Sequence, residues 1–381
     1  MNKPTHSDVI VIGLGAMGSA AAYHLARRGR RVVGIEQFTA AHDRGASHGR
    51  SRIIREAYFE HPDYVPLLQR AYALWETLQK EGGSRLLLPT GGLMIGPEDG
   101  VLVQGALTSA RTHELRHDLL RSADLRRRYP AFAVTDQTVA VWEPRAGVLF
   151  PEDCVLAHLR GATRSGAVLN MEERVVSWQA VEGAIHVRTD KAHYAADHLV
   201  ITAGPWAGGV LADLGLPLQV ERNVMYWFQP ADAAPFSPDR LPVYIYEYRE
   251  GAFIYGFPQV GRDGAKVAHH HSGDLCTPET IRRDVSPEEV ARMRAILTRT
   301  LPGLSGELLH TAACMYTNTP DGHFIIDRHP RHTNVTIACG FSGHGFKFAS
   351  VVGEILAELA TYGHTRHHIG LFQLGRFRAT A

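Results

Sequence analysis

The stretch Asp8-Val-Ile-Val-Ile-Gly-Leu-Gly-Ala-Met-Gly18 joins a short apolar run to three spaced glycines. The run 8–12 predicts a strand buried on both faces, and residues 19–28 predict a helix. A second predicted strand, 31–36, ends in the carboxylate of Glu36. Strand, G-x-G-x-x-G, helix, strand and acid within 30 residues form the pattern of a dinucleotide-binding unit.

Each glycine of this motif has a physical role. Gly13 allows the tight turn, Gly15 lets the backbone approach a pyrophosphate, and Gly18 lets the helix pack close to the strand. The helix N-terminus offers unpaired N–H groups and a positive dipole end to phosphates. Glu36 can accept hydrogen bonds from ribose hydroxyls, which argues against NADP. The motif therefore predicts a dinucleotide cofactor and leaves NAD and FAD open.

The composition excludes several classes of protein. The 381 residues suggest two or three domains, or one two-lobed unit, at roughly 150 residues per domain. Forty Lys and Arg against 39 Asp and Glu leave a net charge of +1, which gives no field to attract nucleic acid or an anionic membrane. The sequence shows neither a secretory signal nor a run of ~18 apolar residues. The four cysteines lack CxxC spacing, so we expect neither disulfides nor a zinc site. We expect the protein to be cytoplasmic.

Three further motifs follow the nucleotide-binding unit. They are Gly45-Ala-Ser-His-Gly-Arg-Ser-Arg-Ile-Ile-Arg-Glu-Ala-Tyr58, Cys314-Met-Tyr-Thr-Asn-Thr-Pro-Asp-Gly-His-Phe-Ile-Ile-Asp327 and Gly340-Phe-Ser-Gly-His-Gly-Phe-Lys347. Together with the glycine motif they resemble the monomeric sarcosine oxidase family. That family includes N-methyltryptophan oxidase and belongs to the wider D-amino-acid-oxidase-like flavoproteins. The resemblance runs from Asp8 to about Phe372 and implies FAD as the cofactor.

The expected fold is α/β, with a Rossmann-type FAD-binding domain and a discontinuous α+β substrate domain built on an antiparallel sheet. Residues 1–80, 148–218 and 320–381 are expected to build the FAD-binding domain, and residues 81–147 and 219–319 the substrate domain. The segment 168–176 reads as a strand that passes the adenine at Val175, and 198–206 as a buried strand ending in a turn at Gly204.

The resemblance implies roles for individual residues around the cofactor. Cys314 matches the cysteine that bonds covalently to the flavin 8α carbon, and Arg52 matches an arginine that is close to the flavin ring and important for this attachment. Arg55 and Lys347 match the two cations that hold the substrate carboxylate. The remaining expected cofactor contacts are Ser51, Val175, Gly204, Gly343, Gly345, Phe346 and Lys347.

Further residues are implied around the substrate amine. His270, in the run 269–271, matches a histidine close to the amine. Lys266 matches a lysine that contacts flavin N5 through water and promotes reaction with oxygen, and Tyr255 and Tyr316 match aromatic walls of the substrate cavity. Adjacent histidines on a strand point to opposite faces, so we expect no metal site here. The expected catalytic residues are Lys266, His270, Arg52 and Tyr316, and the expected substrate contacts are Arg55, Lys347, Tyr255, His270 and Tyr316.

The implied reaction needs both a cofactor and an anchor for the substrate. Oxidation of a secondary amine removes two electrons and a hydride equivalent, which no side chain can accept. An arginine grips a carboxylate with a bidentate fork and a lysine adds a point charge, so Arg55 and Lys347 would fix the C–N bond over the flavin. They lie almost 300 residues apart, so only the fold can bring them together. The predicted helix 348–362 would point its positive end toward the flavin.

The resemblance implies an FAD-dependent oxidase of N-methyl amino acids, in which sarcosine, oxygen and water give glycine, formaldehyde and hydrogen peroxide. Its partners would be a small amino acid and molecular oxygen, and the family implies a monomer. A bulkier or cyclic substrate such as N-methyltryptophan, pipecolate or proline stays open, because the segment around Ile245 and Tyr246 aligns ambiguously by one residue. Two further classes stay open as well, an NAD-dependent dehydrogenase and a non-catalytic flavin-binding protein.

Overall fold

The computed structural model describes residues 6–271 and 273–377, and strands form most of its framework. The strands are β1 His6–Ile12, β2 Val32–Ile35, β3 Arg52–Ile54, β4 Leu87–Pro89, β5 Gly92–Pro97, β6 Asp118–Arg121, β7 Thr138–Glu143, β8 Gly147–Leu149, β9 Val168–Asn170, β10 Val175–Val181, β11 Ala184–Thr189, β12 His193–Ile201, β13 Gln219–Phe228, β14 Val243–Arg249, β15 Ala252–Gly256, β16 Ala265–His270, β17 Leu275–Cys276, β18 Leu308–Asn318, β19 Ile325–Arg328 and β20 Val335–Cys339.

Helices cover the sheets and connect their strands. They are α1 Ala16–Arg27, α2 Val65–Gly82, α3 Val101–Thr112, α4 Ser122–Arg128, α5 Pro151–Arg164, α6 Ala207–Val210, α7 Pro287–Thr300 and α8 Ala349–Tyr362. None of the described helices is long and apolar enough to cross a lipid bilayer.

The first sheet is parallel at its centre and carries the glycine motif. Its order is β10-β11-β12-β1-β2-β9, with β20 beside β12 and β19 beside β20. Strands β1, β2, β9, β12 and β20 run parallel, and the apolar side chains of β1, β2 and β20 are buried, as the continuous run 8–12 predicted. The Rossmann-type arrangement is therefore confirmed.

Close contacts of the backbone explain why glycines occupy two positions of the motif. Gly13 has a φ of +83°, and a Cβ there would lie 2.6 Å from the Thr202 oxygen. A Cβ on Gly18 would lie 1.8 Å from the Gly13 oxygen. Helix α1 thus rests directly on the turn that follows β1, which aims its first N–H groups into the space beyond the strand ends.

The second sheet is mostly antiparallel, as expected, and includes one exception. Its order is β17-β13-β16-β15-β14-β5-β7-β6, and β18 also pairs with β13. Strands β5 and β14 run parallel. The expectation of an antiparallel sheet is therefore right for its other described pairs and wrong for this one, because the period of two is the same in both kinds of ladder. A third, small sheet has the order β3-β8-β4.

Two predicted element boundaries differ from those in the structure, and the domain limits stay a prediction. Helix α1 begins at Ala16 rather than at residue 19. The segment 168–176 forms two strands, because β9 pairs with β2 while β10 pairs with β11, and Glu172 between them has a φ of +56°. The first sheet takes its strands from 6–35, 168–201 and 325–339, and the second from 92–143, 219–276 and 308–318.

Candidate active site

The turn after β1 borders a cavity of about 1140 Å³. This volume is slightly above the range of ordinary ligand pockets, about 300–1,000 Å³. Both sheets contribute to its walls. The expected cofactor residues that line it are Gly13, Gly15, Glu36, Arg52, Val175, Gly204, Gly343, Gly345 and Phe346, together with Tyr316. Gly18, Ser51, Cys314 and Lys347 do not line this cavity, and Gly18 packs against the turn instead.

The carboxylate of Glu36 marks one end of this cavity. It is 5% exposed and accepts hydrogen bonds from the backbone N–H groups of Leu14 at 2.8 Å and Phe38 at 3.1 Å. The nearest protein atom to a Cβ on Gly15 would be the Ser47 hydroxyl at 3.5 Å, so a ligand can approach that backbone. The glycine turn, the helix end and the fixed carboxylate fit the pyrophosphate and ribose of a dinucleotide such as FAD.

The second sheet presents most of the expected catalytic side chains on one face. Lys266 and His270 are four residues apart on β16, and Cys314 and Tyr316 are two apart on β18, so each pair shares a face of its strand. Tyr255 on β15 pairs in register with Ala268 of β16. The fold therefore gathers residues that lie far apart in the sequence.

Cys314 lies beside a guanidinium group. Arg52 Nη2 is 3.6 Å from the Cys314 sulfur and donates a 3.0 Å hydrogen bond to the Ala46 carbonyl. Its Nη1 donates to the Ser51 carbonyl at 2.9 Å. The sulfur is buried. Arg52 also lines the large cavity, so it contacts both the thiol and the cofactor space.

Lys266 is a fully buried amine. Its Nζ donates to the backbone carbonyls of Gly49 and Ser51, both at 2.8 Å. The amine lies 5.3 Å from the centre of the Trp227 ring and 4.8 Å from that of Phe257. Burial, and then the charge of Arg52, lowers the pKa of Lys266 well below its ordinary value.

His270 lies between two tyrosines. Its ring centre is 6.3 Å from that of Tyr255 and 5.8 Å from that of Tyr316. Burial, with a smaller contribution from His271, lowers the pKa of His270 well below its ordinary value, so it stays neutral at pH 7. His269 projects from the other face toward Tyr248, in keeping with strand alternation.

The two expected carboxylate-binding cations meet at one aromatic ring. The Arg55 guanidinium is 4.2 Å from the centre of the Tyr58 ring, and Lys347 Nζ is 5.1 Å from it. Lys347 donates to the His344 carbonyl at 2.6 Å. Burial, and then the charge of Arg55, lowers the pKa of Lys347 to about 7. Both cations are buried, so their charges are poorly screened by water.

Glu60 contacts Arg55, one of these two cations, and the sequence did not reveal it. Both of its carboxylate oxygens accept from Arg55 Nη2, at 2.8 and 2.6 Å. The other arm of Arg55 donates to the Ala57 carbonyl at 2.9 Å. An acid five residues after a motif arginine carries no signal of its own in the sequence. Tyr58, whose hydroxyl is 2.6 Å from His344 Nδ1, was likewise not predicted as a site residue.

A group of side chains with metal-binding atoms lies elsewhere in the described part of the chain. It comprises Glu354, Glu358 and His367. Arg70 and Arg366 pair with Glu354 at 2.6 and 2.9 Å, so arginines already neutralise this cluster. It is far from the histidine run in the sequence, and we interpret it as an ion-pair network.

Comparisons with known proteins agree with these features. A family model for FAD-dependent oxidoreductases matches residues 8–359. The monomeric sarcosine oxidase of Streptomyces avermitilis is 50% identical over 381 residues, covering 99% of each chain. That of Bacillus sp. strain NS-129 is 41% identical over 98% of this chain and 97% of its own.

The names of more distant relatives refer to other amino acids. The N-methyl-L-tryptophan oxidase of Yersinia pestis strain Pestoides F is 35% identical, covering 97% of this chain and 99% of its own. The solved structure of L-proline dehydrogenase from P. horikoshii is 25% identical, covers 98% of each chain and has a TM-score of 0.85. The chain therefore belongs to the FAD-dependent oxidoreductases, in the group that contains monomeric sarcosine oxidase and N-methyl-L-tryptophan oxidase.

Proposed function

We propose that the protein oxidises N-methyl amino acids, with sarcosine as its preferred substrate. One observation carries the proposal: two buried cations, Arg55 and Lys347, lie against the Tyr58 ring in a chain of the FAD-dependent oxidoreductase family. Two cations at one point select a carboxylate, and the implied balance is sarcosine, O2 and H2O to glycine, formaldehyde and H2O2. The 50% identical sarcosine oxidase supports this substrate.

The chain's own residues bind and orient the substrate. The incoming carboxylate binds beside Glu60 at Arg55 and gains Lys347 as a second partner. This holds the amine end beside neutral His270, between Tyr255 and Tyr316. A neutral imidazole accepts a hydrogen bond from the amine, and the fixed geometry supplies orientation. FAD, when bound in the large cavity, supplies the acceptor for the hydride equivalent.

Three further roles belong to the proposal. Cys314 attaches the flavin covalently, and Arg52 supports this by stabilising the sulfur. Lys266 promotes the reaction with oxygen from its buried position beside Ser51. The protein works as a cytoplasmic monomer.

Ile245 and Tyr246 contact different parts of the protein. Ile245 packs with Ile53, Phe59 and Tyr255 on the side of the carboxylate-binding cations. The Tyr246 hydroxyl instead donates to the Ala133 carbonyl at 3.1 Å, away from that cluster. Ile245, which pairs in register with Tyr255, is therefore the residue of this pair that we place beside the substrate.

Hydrogen peroxide release by the purified protein tests the proposal. We would compare sarcosine, N-methyltryptophan, L-proline, L-pipecolate and glycine for the wild type, R55M and the control K80M, which changes an exposed lysine. We expect the fastest turnover on sarcosine, a large loss in R55M and none in K80M. Turnover only on a bulky member would replace the substrate. No peroxide from any of them, with a yellow protein, would refute the oxidase assignment.

A further inference from the structure

A second cavity of about 420 Å³ reaches Lys266 and shares no lining residue with the large cavity. Its inner end is the Lys266 side chain, and its walls include Trp227, Phe257, Phe150 and Val260. Lys266, Trp227 and Phe257 are at most 2% exposed. The protein therefore has two separate spaces that approach the same region of the catalytic face.

Only a thin partition separates the two cavities. Lys266 Nζ donates to the Ser51 carbonyl at 2.8 Å, and Ser51 lines the second cavity. The next residue, Arg52, lines the large one. A molecule at the inner end of the second cavity is therefore one residue away from the space that FAD occupies when bound.

The lining of the second cavity favours small apolar molecules over charged ones. Aromatic and aliphatic side chains cannot replace the water lost by a zwitterionic amino acid, so desolvation excludes it. A small apolar molecule enters such a space without this cost. At the outer end, Arg50 and Asp263 form a 2.6 Å ion pair, with side chains 51% and 49% exposed. Their charges cancel, and the carboxylates of Glu152 and Asp153, which also line the cavity, disfavour the carboxylate of an amino acid.

We propose that this cavity is the entrance for dioxygen, separate from the path of the amino acid. The inference rests on the proposed oxidase function and gives its second substrate an entry of its own. Dioxygen takes two electrons and two protons from the reduced cofactor and leaves as hydrogen peroxide. Lys266 lies where an oxygen molecule arriving through the cavity meets the partition, so its amine can donate a hydrogen bond to the negative charge that develops on oxygen.

The test fills the second cavity with larger side chains at Val260, a half-buried loop residue that lines it. Val260→Leu, Val260→Phe and Val260→Trp add volume step by step, so a milder variant serves if the largest fails to fold. Val168→Trp, at a position 57% exposed on β9 of the first sheet, adds the same bulk elsewhere and serves as the control. Val260 touches neither expected cation of the carboxylate site, so flavin reduction by sarcosine should change less than twofold.

Two readouts decide the matter. The first is xenon binding in crystals under pressure, which reports on the cavity without any turnover. We expect xenon beside Trp227 and Phe257 in the wild type and in V168W, and none in V260W. The second is the second-order rate constant for reoxidation by oxygen after reduction with dithionite. We expect a decrease of at least tenfold in V260W, a smaller decrease in V260L and no change in V168W.

Two results would overturn the inference. One is loss of the xenon site without slower reoxidation, and the other is absence of xenon from the wild-type cavity. Because dithionite replaces the amino acid, the reoxidation test remains valid even if no amino acid reduces the protein. In that case the proposed substrate class fails, and the oxygen entrance is still judged by its own result.

Discussion

Replacing Lys347 by methionine should remove a pH-dependent part of carboxylate binding. Lys347 is 5% exposed, and burial together with the charge of Arg55 lowers its pKa to about 7. Methionine keeps an unbranched, flexible side chain and removes the ammonium group. Acetate is a suitable probe because it carries the carboxylate without the amine and stays ionised between pH 6 and 9.

The size of the effect follows from the geometry of the site. A buried hydrogen bond to a charged group contributes about 1.5–3 kcal/mol, which corresponds to about 10- to 150-fold in affinity. At pH 6 the Lys347 ammonium is already charged before acetate arrives. Above pH 7 the free protein must take up a proton on binding, so the wild-type dissociation constant rises about tenfold per pH unit until the weaker binding of the neutral form takes over.

Acetate titration of the flavin-loaded enzyme, followed by flavin absorbance from pH 6 to 9, measures this effect. We expect K347M to bind acetate about 10- to 150-fold more weakly than the wild type at pH 6. The dissociation constant of K347M itself should change little between pH 6 and 9. The control K80M, altered at an exposed position near the end of α2, should retain the wild-type profile. Equal affinity of K347M and wild type at pH 6, or the same slope in both, would refute the assignment of Lys347 as a carboxylate ligand.

Three other outcomes are expected. Acid precipitation of C314A should release the flavin, whereas the wild type should retain it; flavin that stays with the precipitated variant would place the linkage elsewhere. In stopped-flow experiments K266M should slow flavin reoxidation far more than flavin reduction, and equal effects on both half-reactions would contradict its proposed role. Burial lowers the pKa of His24 to about 4, so the folded state loses stability as the pH falls below 6.5, by about 2 kcal/mol between pH 7 and pH 5. Urea unfolding at both pH values measures this loss, and H24Q, which keeps a donor for the Ser350 carbonyl, should show a loss smaller by that amount; an unchanged difference would show that His24 does not titrate as inferred.

The glycine motif was readable because its constraints are local. Gly13 needs a positive φ, and Gly18 meets the Gly13 carbonyl within one helical turn, so the spacing itself encodes the geometry. Helix α1 starts early, at Ala16 with Gly15 as its N-cap residue, and this places its first N–H groups at the cavity. Short-range patterns thus specified this unit almost completely.

Strand pairing over long distances was not readable in the same way. The side-chain period of β14 is compatible with a parallel or an antiparallel partner, and its parallel pairing with β5 depends on where the chain returns. The break between β9 and β10 is similar. Glu173 there accepts hydrogen bonds from the Thr189 and Tyr194 hydroxyls, which are 16 and 21 residues away. The conformational preferences of neighbouring residues do not predict such long-range contacts.

The site residues were predictable only as members of a family pattern. Arg55 and Lys347 come together through a fold that no spacing rule describes, and a single arginine or lysine is most often a solvated surface charge. Glu60 was not predicted because its ion pair with Arg55 forms only in the folded protein, where Arg55 is buried beside it. The structure therefore adds what the pattern lacked, which is the partner that each buried cation has in the free protein.

Those partners explain why the site selects a carboxylate. Lys266 donates to two carbonyl oxygens, Lys347 donates to one carbonyl and to the Tyr58 hydroxyl, and Glu60 pairs with Arg55. The group around Tyr58 therefore contains two cations and one anion in a poorly screened environment. A second carboxylate is the ligand that restores neutrality there, whereas an uncharged amine would leave the imbalance in place. Affinity for the acid end of the substrate thus depends on the buried Lys347, whose pKa is lowered first by burial and then by the charge of Arg55.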